Sequence, residues 1–95
     1  MAEPSGSRLH LRVNDVSWRE VGDEAVVLES TTGTYLTLNA SGKVLWQALE
    51  TGATKPEMAG MLVERFGIGA ELAARDVDGF LERLQARHLV EAEPS

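Results

Sequence analysis

Cysteine is absent from this chain of 95 residues. Without a thiol there is no disulfide, no thiolate metal site and no cysteine nucleophile. Two histidines are present, His10 and His88. They lie far apart and have no other ligand type close by in sequence, so no metal site is read from them. Positive charge is also scarce: 9 Lys and Arg against 15 Asp and Glu leave a formal net charge of −6. A binder of nucleic-acid backbones needs a basic face, and this composition argues against one. No apolar run approaches the roughly 20 residues of a membrane span. Met1 to Ser7 lack the basic-then-apolar pattern of a signal peptide. The 9 glycines are scattered at turns and caps and form no phosphate loop. The serines lie in no nucleophile elbow and have no plausible histidine partner. No catalytic residue, cofactor or metal is therefore expected, and the chain is not read as an enzyme.

What is present is an ordinary globular mix, 43% hydrophobic and 25% charged. So short a chain has room for one core. The expected organisation is a domain over residues 9–91, with flexible flanks at 1–8 and 92–95. A cytoplasmic monomer that binds neither membrane nor nucleic acid is expected. Leu9, Leu11 and Val13 alternate, and Val16 and Trp18 follow on a shifted phase, with a kink or bulge at Asn14-Asp15. Glu24 to Ser30 reads as a second strand and Thr34 to Leu38 as a third, separated by turns at Gly22-Asp23 and Thr31-Thr32-Gly33. After Leu38 the period becomes helical. Asn39 is an N-cap, and Val44, Leu45, Ala48 and Leu49 share a face up to Gly52. Thr54 and Glu57 form a capping box with Pro56 in the first turn. Met58, Met61, Leu62 and Phe66 line the second helix. A third helix from Ala70 to Arg87 carries Ala73, Val77, Phe80, Leu81 and Leu84 on one stripe. Leu89-Val90 can add a short strand or cap the core. The fold class is α+β: a three-stranded antiparallel sheet followed by three helices, winged helix-turn-helix-like.

In a simple meander the third strand pairs on one side only. Free edges are usually blunted by charge, proline or a bulge, and Thr34 to Leu38 carry none of these. Such an edge is covered by the protein's own chain or kept open for a partner strand. Trp46 is expected to pack under the sheet, and Met58 and Met61 to fill the core. Trp18 fits a core position or a partner surface equally well. Glu71 and Arg75 stand at i,i+4 spacing and are read as a helical ion pair of small value.

The run from Glu24 to Asn39, with Thr34-Tyr-Leu-Thr-Leu-Asn39, and the following Ala40-Ser-Gly-Lys-Val-Leu-Trp46 resemble the PqqD-like family. So do Asp76-Val77, Phe80-Leu81, Leu84 and His88-Leu89-Val90-Glu91. The resemblance covers most of the chain, roughly Val16 to Glu91. These proteins are recognition elements for the precursors of ribosomally made, modified peptides. The peptide chaperone of pyrroloquinoline quinone synthesis usually has a proline-containing approach to its Leu-Asn step, which this chain lacks. The chain looks more like the stand-alone leader-binding proteins of lasso peptide biosynthesis.

The resemblance implies a non-catalytic role: binding a leader segment as an added β-strand between the third strand and the third helix. Thr34, Tyr35, Leu36 and Thr37 would form the pairing edge. Leu36, Val77, Phe80, Leu81 and Leu84 would supply an apolar pocket. On the helical wheel Asp76, Arg83 and Arg87 fall on one flank with Gly79, where Arg83 and Arg87 would meet acidic leader residues. The implied partners are a separate cysteine-protease-like leader peptidase and an ATP-dependent cyclase. The alternatives are a peptide chaperone of pyrroloquinoline quinone or a related pathway, and a winged-helix DNA-binding protein. The acidic third helix argues against the latter. An acidic carrier protein would need an Asp-Ser-Leu attachment site, which the sequence lacks.

Overall fold

The computed structural model describes residues 7–12 and 16–92. The elements run β1 (Leu9–Leu11), β2 (Val16–Val21), β3 (Glu24–Glu29), β4 (Thr34–Leu38), α1 (Ala40–Thr51), α2 (Lys55–Phe66), α3 (Ala70–Ala86) and β5 (Val90–Ala92). β2, β3 and β4 form the expected antiparallel sheet in that order, and three helices follow.

The N-terminal apolar stretch is two strands in two sheets rather than one kinked strand. β1 leaves the meander and pairs antiparallel with β5, Leu9 opposite Ala92 and Leu11 opposite Val90. Backbone bonds in both directions tie Leu9 to Ala53, at 2.8 and 3.0 Å, and Arg12 N–H donates to the Leu89 carbonyl at 2.7 Å. The shift of phase between Leu11 and Val16 is the sequence trace of this change of sheet. The alternation at Val13 and the kink at Asn14-Asp15 fall outside the described residues. Arg8 and Ala92, assigned above to the flanks, make defined contacts: Arg8 Nη1 donates to the Gly52 carbonyl at 2.8 Å, and Ala92 lies in β5.

Turn chemistry sets the register. Val21 faces Glu24 across the two-residue Gly22-Asp23 loop. Gly22 has φ +64°, the left-handed value that a hairpin of this length needs at its first central position. The β3–β4 loop closes with Gly33 N–H donating to the Glu29 carbonyl at 2.7 Å. With this register Trp18, Val27 and Leu36 share the helix-facing side of the sheet, as do Ala25 and Leu38. Ser17, Leu28 and Tyr35 share the other side.

The core gathers Val27, Leu36 and Leu38 from the sheet with Trp46, Leu49, Met58, Leu62, Leu81 and Leu84 from the helices. Each such side chain taken fully from water contributes about 1.5–3 kcal/mol. Capping fixes where the helices begin. Asn39 accepts from Gly42 N–H at 2.8 Å, and both arms of the Thr54/Glu57 box are made. The Thr54 backbone N–H, donating to Glu57, holds that carboxyl below its ordinary value. Gly42 is buried where the first turn of α1 meets α3, and a Cβ there would lie 3.6 Å from the Phe80 ring. α3 ends at Ala86, one residue earlier than expected. Arg87 is its C-cap, and His88 takes φ +59° to turn the chain into β5.

Candidate functional site

β4 has β3 on one side and, among the described residues, no strand on the other. Its length of 5 residues offers an edge of roughly 17 Å at 3.4 Å per residue. Two structural relations place α3 alongside this edge. At the C-terminal end of β4, Asn39, Ser41, Gly42 and Leu45 share a cavity of about 350 Å³ with Arg75, Asp76, Gly79, Phe80 and Arg83 of α3. At the N-terminal end, Arg87 Nη1 lies 2.8 Å from Glu29 Oε2. Thr34 Oγ1 donates to the same carboxylate oxygen at 3.4 Å. α3 therefore runs opposite to β4, with its Arg75–Arg83 stretch near the C-terminal end of that strand and its C-cap near the N-terminal end.

The residues expected at the site separate into three groups. Thr34, Tyr35 and Thr37 are exposed along the edge, and Leu36 between them is 5% exposed. The Tyr35 side chain is 66% exposed and turned away from the helices. It lines a concavity on the outer face of the sheet with Ser17, Trp18, Arg19, Val26 and Leu28. Leu36, Val77, Phe80, Leu81 and Leu84 do not form an open apolar pocket. All five are core residues, because the stripe that periodicity picks out is the one that packs beneath the sheet. Phe80 also reaches the cavity beside Asn39. Val77 borders a separate hollow beside α2, with Lys55, Pro56 and Ala59.

The charged flank is split. Asp76 and Arg83 line the cavity with Gly79. The Arg83 guanidinium stands 5.9 Å from the Phe80 ring centroid, within cation–π range. Arg87 is elsewhere: past the end of α3 the wheel no longer applies, and its guanidinium is engaged by Glu29. Arg75 is a cavity residue that local reasoning missed. Among the described residues no ion pair joins it to Glu71, and it stands instead beside Asp76 and Arg83. Its signal was available in the sequence, one position before Asp76 on the same helix. A Cβ built on Gly79 meets nothing within 4 Å, so no part of the described chain requires glycine there.

Trp18 is resolved as a packing residue with a polar tie. Its ring meets Trp46 edge-on at 6.5 Å. Trp46 is fully buried, as expected, and its Nε1 has no hydrogen-bond partner among the described residues. Among the described residues no group of three or more His, Cys, Asp or Glu is placed to hold a metal ion. No described helix is long and apolar enough to cross a membrane.

Comparison with known proteins agrees with this geometry. The family described as "Coenzyme PQQ synthesis protein D (PqqD)" matches residues 24–90, and the chain belongs to it. Two solved structures share the fold. One, "TbiB1 in Complex with the TbiA(beta) Leader Peptide", is 29% identical, with a TM-score of 0.74 over 87% of this chain and 96% of that one. The other, "Lasso peptide synthetase B1 complexed with the leader peptide", is 22% identical, with a TM-score of 0.75 over the same shares. No curated protein matches.

Proposed function

We propose that this protein is a non-catalytic recognition element that binds the leader segment of a ribosomally made precursor peptide. The leader joins the sheet as a strand on the free edge of β4, alongside α3. Main-chain hydrogen bonds to Thr34, Tyr35, Leu36 and Thr37 supply the affinity, and side-chain contacts supply selectivity. The observation that carries this reading is the uncharged β4 edge, which no strand pairs among the described residues and which has α3 near both its ends. The structural relatives, described as leader-peptide complexes, support it.

The cations offered to an acidic leader residue are Arg75 and Arg83 at the Asn39 end. Asp76 beside them takes a backbone donor or a basic side chain. The buried Leu36 and Phe80 form the floor beneath the peptide, with Val77, Leu81 and Leu84 fixing them from below.

The pathway proposed is lasso peptide biosynthesis. The bound leader is presented to a separate cysteine-protease-like leader peptidase, and an ATP-dependent cyclase then acts on the remaining core peptide. The family description, a coenzyme PQQ synthesis protein, favours a second reading, in which this protein is a peptide chaperone of that pathway. A labelled leader peptide from the precursor gene beside this chain's own gene separates the readings. Saturable binding, and faster leader cleavage by the neighbouring peptidase when this protein is added, are the expected results. Absence of both rejects the proposal, and binding only to a quinone-cofactor precursor moves it to the second reading.

A further inference from the structure

Glu29 ends β3 on the helix-facing side of the sheet, opposite Thr34, the first residue of β4. Its side chain is 12% exposed and that of Arg87 is 34% exposed. The two residues stand 58 positions apart and meet at 2.8 Å. Thr34 Oγ1 adds a second donor to the same carboxylate oxygen. Among the described residues, no other ion pair joins α3 or its cap to the three-stranded sheet. The others link Arg8 to Glu57, Lys43 to Glu20 and Lys55 to Asp78. A charge-assisted bond in a partly shielded place is stronger than an exposed ion pair.

The position of this pair matters more than its strength. A strand added to β4 must lie about 4.8 Å from it, under a helix held at constant height. α3 is anchored at the Asn39 end by packing of Phe80 against the first turn of α1. At its other end the helix has already stopped, and the chain turns at His88. There the Glu29–Arg87 bond spans the two walls.

We propose that Glu29 is a positioning residue for the peptide site. Through Arg87 it clasps the end of α3 to the β3–β4 hairpin and so sets the width of the groove. It also occupies the guanidinium of Arg87, leaving the groove's available positive charge at the Arg75 and Arg83 end. This inference rests on the leader-binding reading above. It differs from a direct role of Arg87 on an acidic leader residue, because Arg87 acts here through Glu29.

The test uses the full chain and a fluorescein-labelled synthetic leader from the adjacent precursor gene, read by anisotropy at 10 °C together with thermal midpoints. Glu29→Ala and Arg87→Ala each weaken binding about tenfold, and the double variant is no weaker than either single one, as for groups acting as one unit. The reversed pair, Glu29→Arg with Arg87→Glu, recovers to within about threefold of the wild type. A pair of only structural value would lower the midpoints and leave the affinity of the folded protein unchanged, which overturns the proposal. Loss with Arg87→Ala but not with Glu29→Ala also overturns it, since Arg87 then touches the peptide directly. Additive losses overturn it as well. If the wild type shows no saturable binding, the leader-binding reading itself falls, and the clasp with it.

Discussion

The indole Nε1 of Trp18 donates to Glu50 Oε2 at 3.0 Å, tying β2, an outer strand of the sheet, to the last turn of α1. The same ring packs edge-on against Trp46, so one side chain serves both the core and a polar tie across the layers. Trp18→Phe keeps an aromatic ring but removes the donor and some contact area. It is expected to cost about 1–2 kcal/mol in urea unfolding. Glu50→Gln keeps an acceptor and is expected to cost less than about 0.5 kcal/mol. Equal costs for the two changes would show that the bond, not the packing, dominates.

Glu57 gives a pH dependence of known sign. Hydrogen bonding to the Thr54 backbone is the main cause that holds its carboxyl below the ordinary value of 4.5. A carboxyl with a depressed folded value stabilises the fold fully above 4.5, and that contribution is lost as the pH falls through the folded value. Glu57→Gln retains a capping-box acceptor but does not titrate. Urea midpoints of the wild type are therefore expected to drop more steeply on acidification below 4.5 than those of the variant. Parallel pH profiles would contradict this.

Gly79 separates stability from binding. Glycine inside a helix costs about 1 kcal/mol relative to alanine, and no described residue stands within 4 Å of a Cβ there. Gly79→Ala is thus expected to raise the unfolding free energy by up to about 1 kcal/mol. If a peptide backbone approaches the helix at this point, the same change weakens leader binding by about five- to tenfold, about 1.0–1.4 kcal/mol. A variant that is more stable and binds equally well would show that the peptide does not pass over Gly79.

Strand addition has a signature that does not depend on side-chain pockets. Alternate residues of a strand point their N–H groups toward the neighbouring strand. Methylating the leader's backbone nitrogens one at a time is expected to weaken binding at every second position across the four or five residues that span β4. Uniform tolerance, or losses at helical spacing, would rule out pairing with this edge.

Local pattern revealed β3, β4 and the three helices, because each has a turn or cap at its ends and a clear period between them. The capping residues Asn39 and Thr54 were legible for the same reason. Features that depend on distant partners were not. The three-residue strands β1 and β5 are too short to show a period, and only their pairing across the whole chain makes them strands. The Glu29 partner of Arg87 was not legible, because the wheel relates residues of one helix only, whereas Arg87 caps α3 and reaches the end of β3, 58 positions away. Arg75 was assigned to Glu71 by the nearest-neighbour rule, although tertiary packing puts it on the cavity beside Asp76. The burial of Val77, Phe80, Leu81 and Leu84 was legible as a stripe, because periodicity finds the face that packs beneath the sheet.

Pairing of β1 with β5 places Leu9 directly opposite Ala92, and Cα atoms so opposed lie about 5 Å apart. Entrance and exit of the domain are therefore a single doorway. A unit of this kind can be spliced into a surface loop of a larger protein without stretching its host. The β4 edge takes no part in that junction. The fold is thus portable: the sheet that ends in β4 can travel with it wherever that doorway is attached.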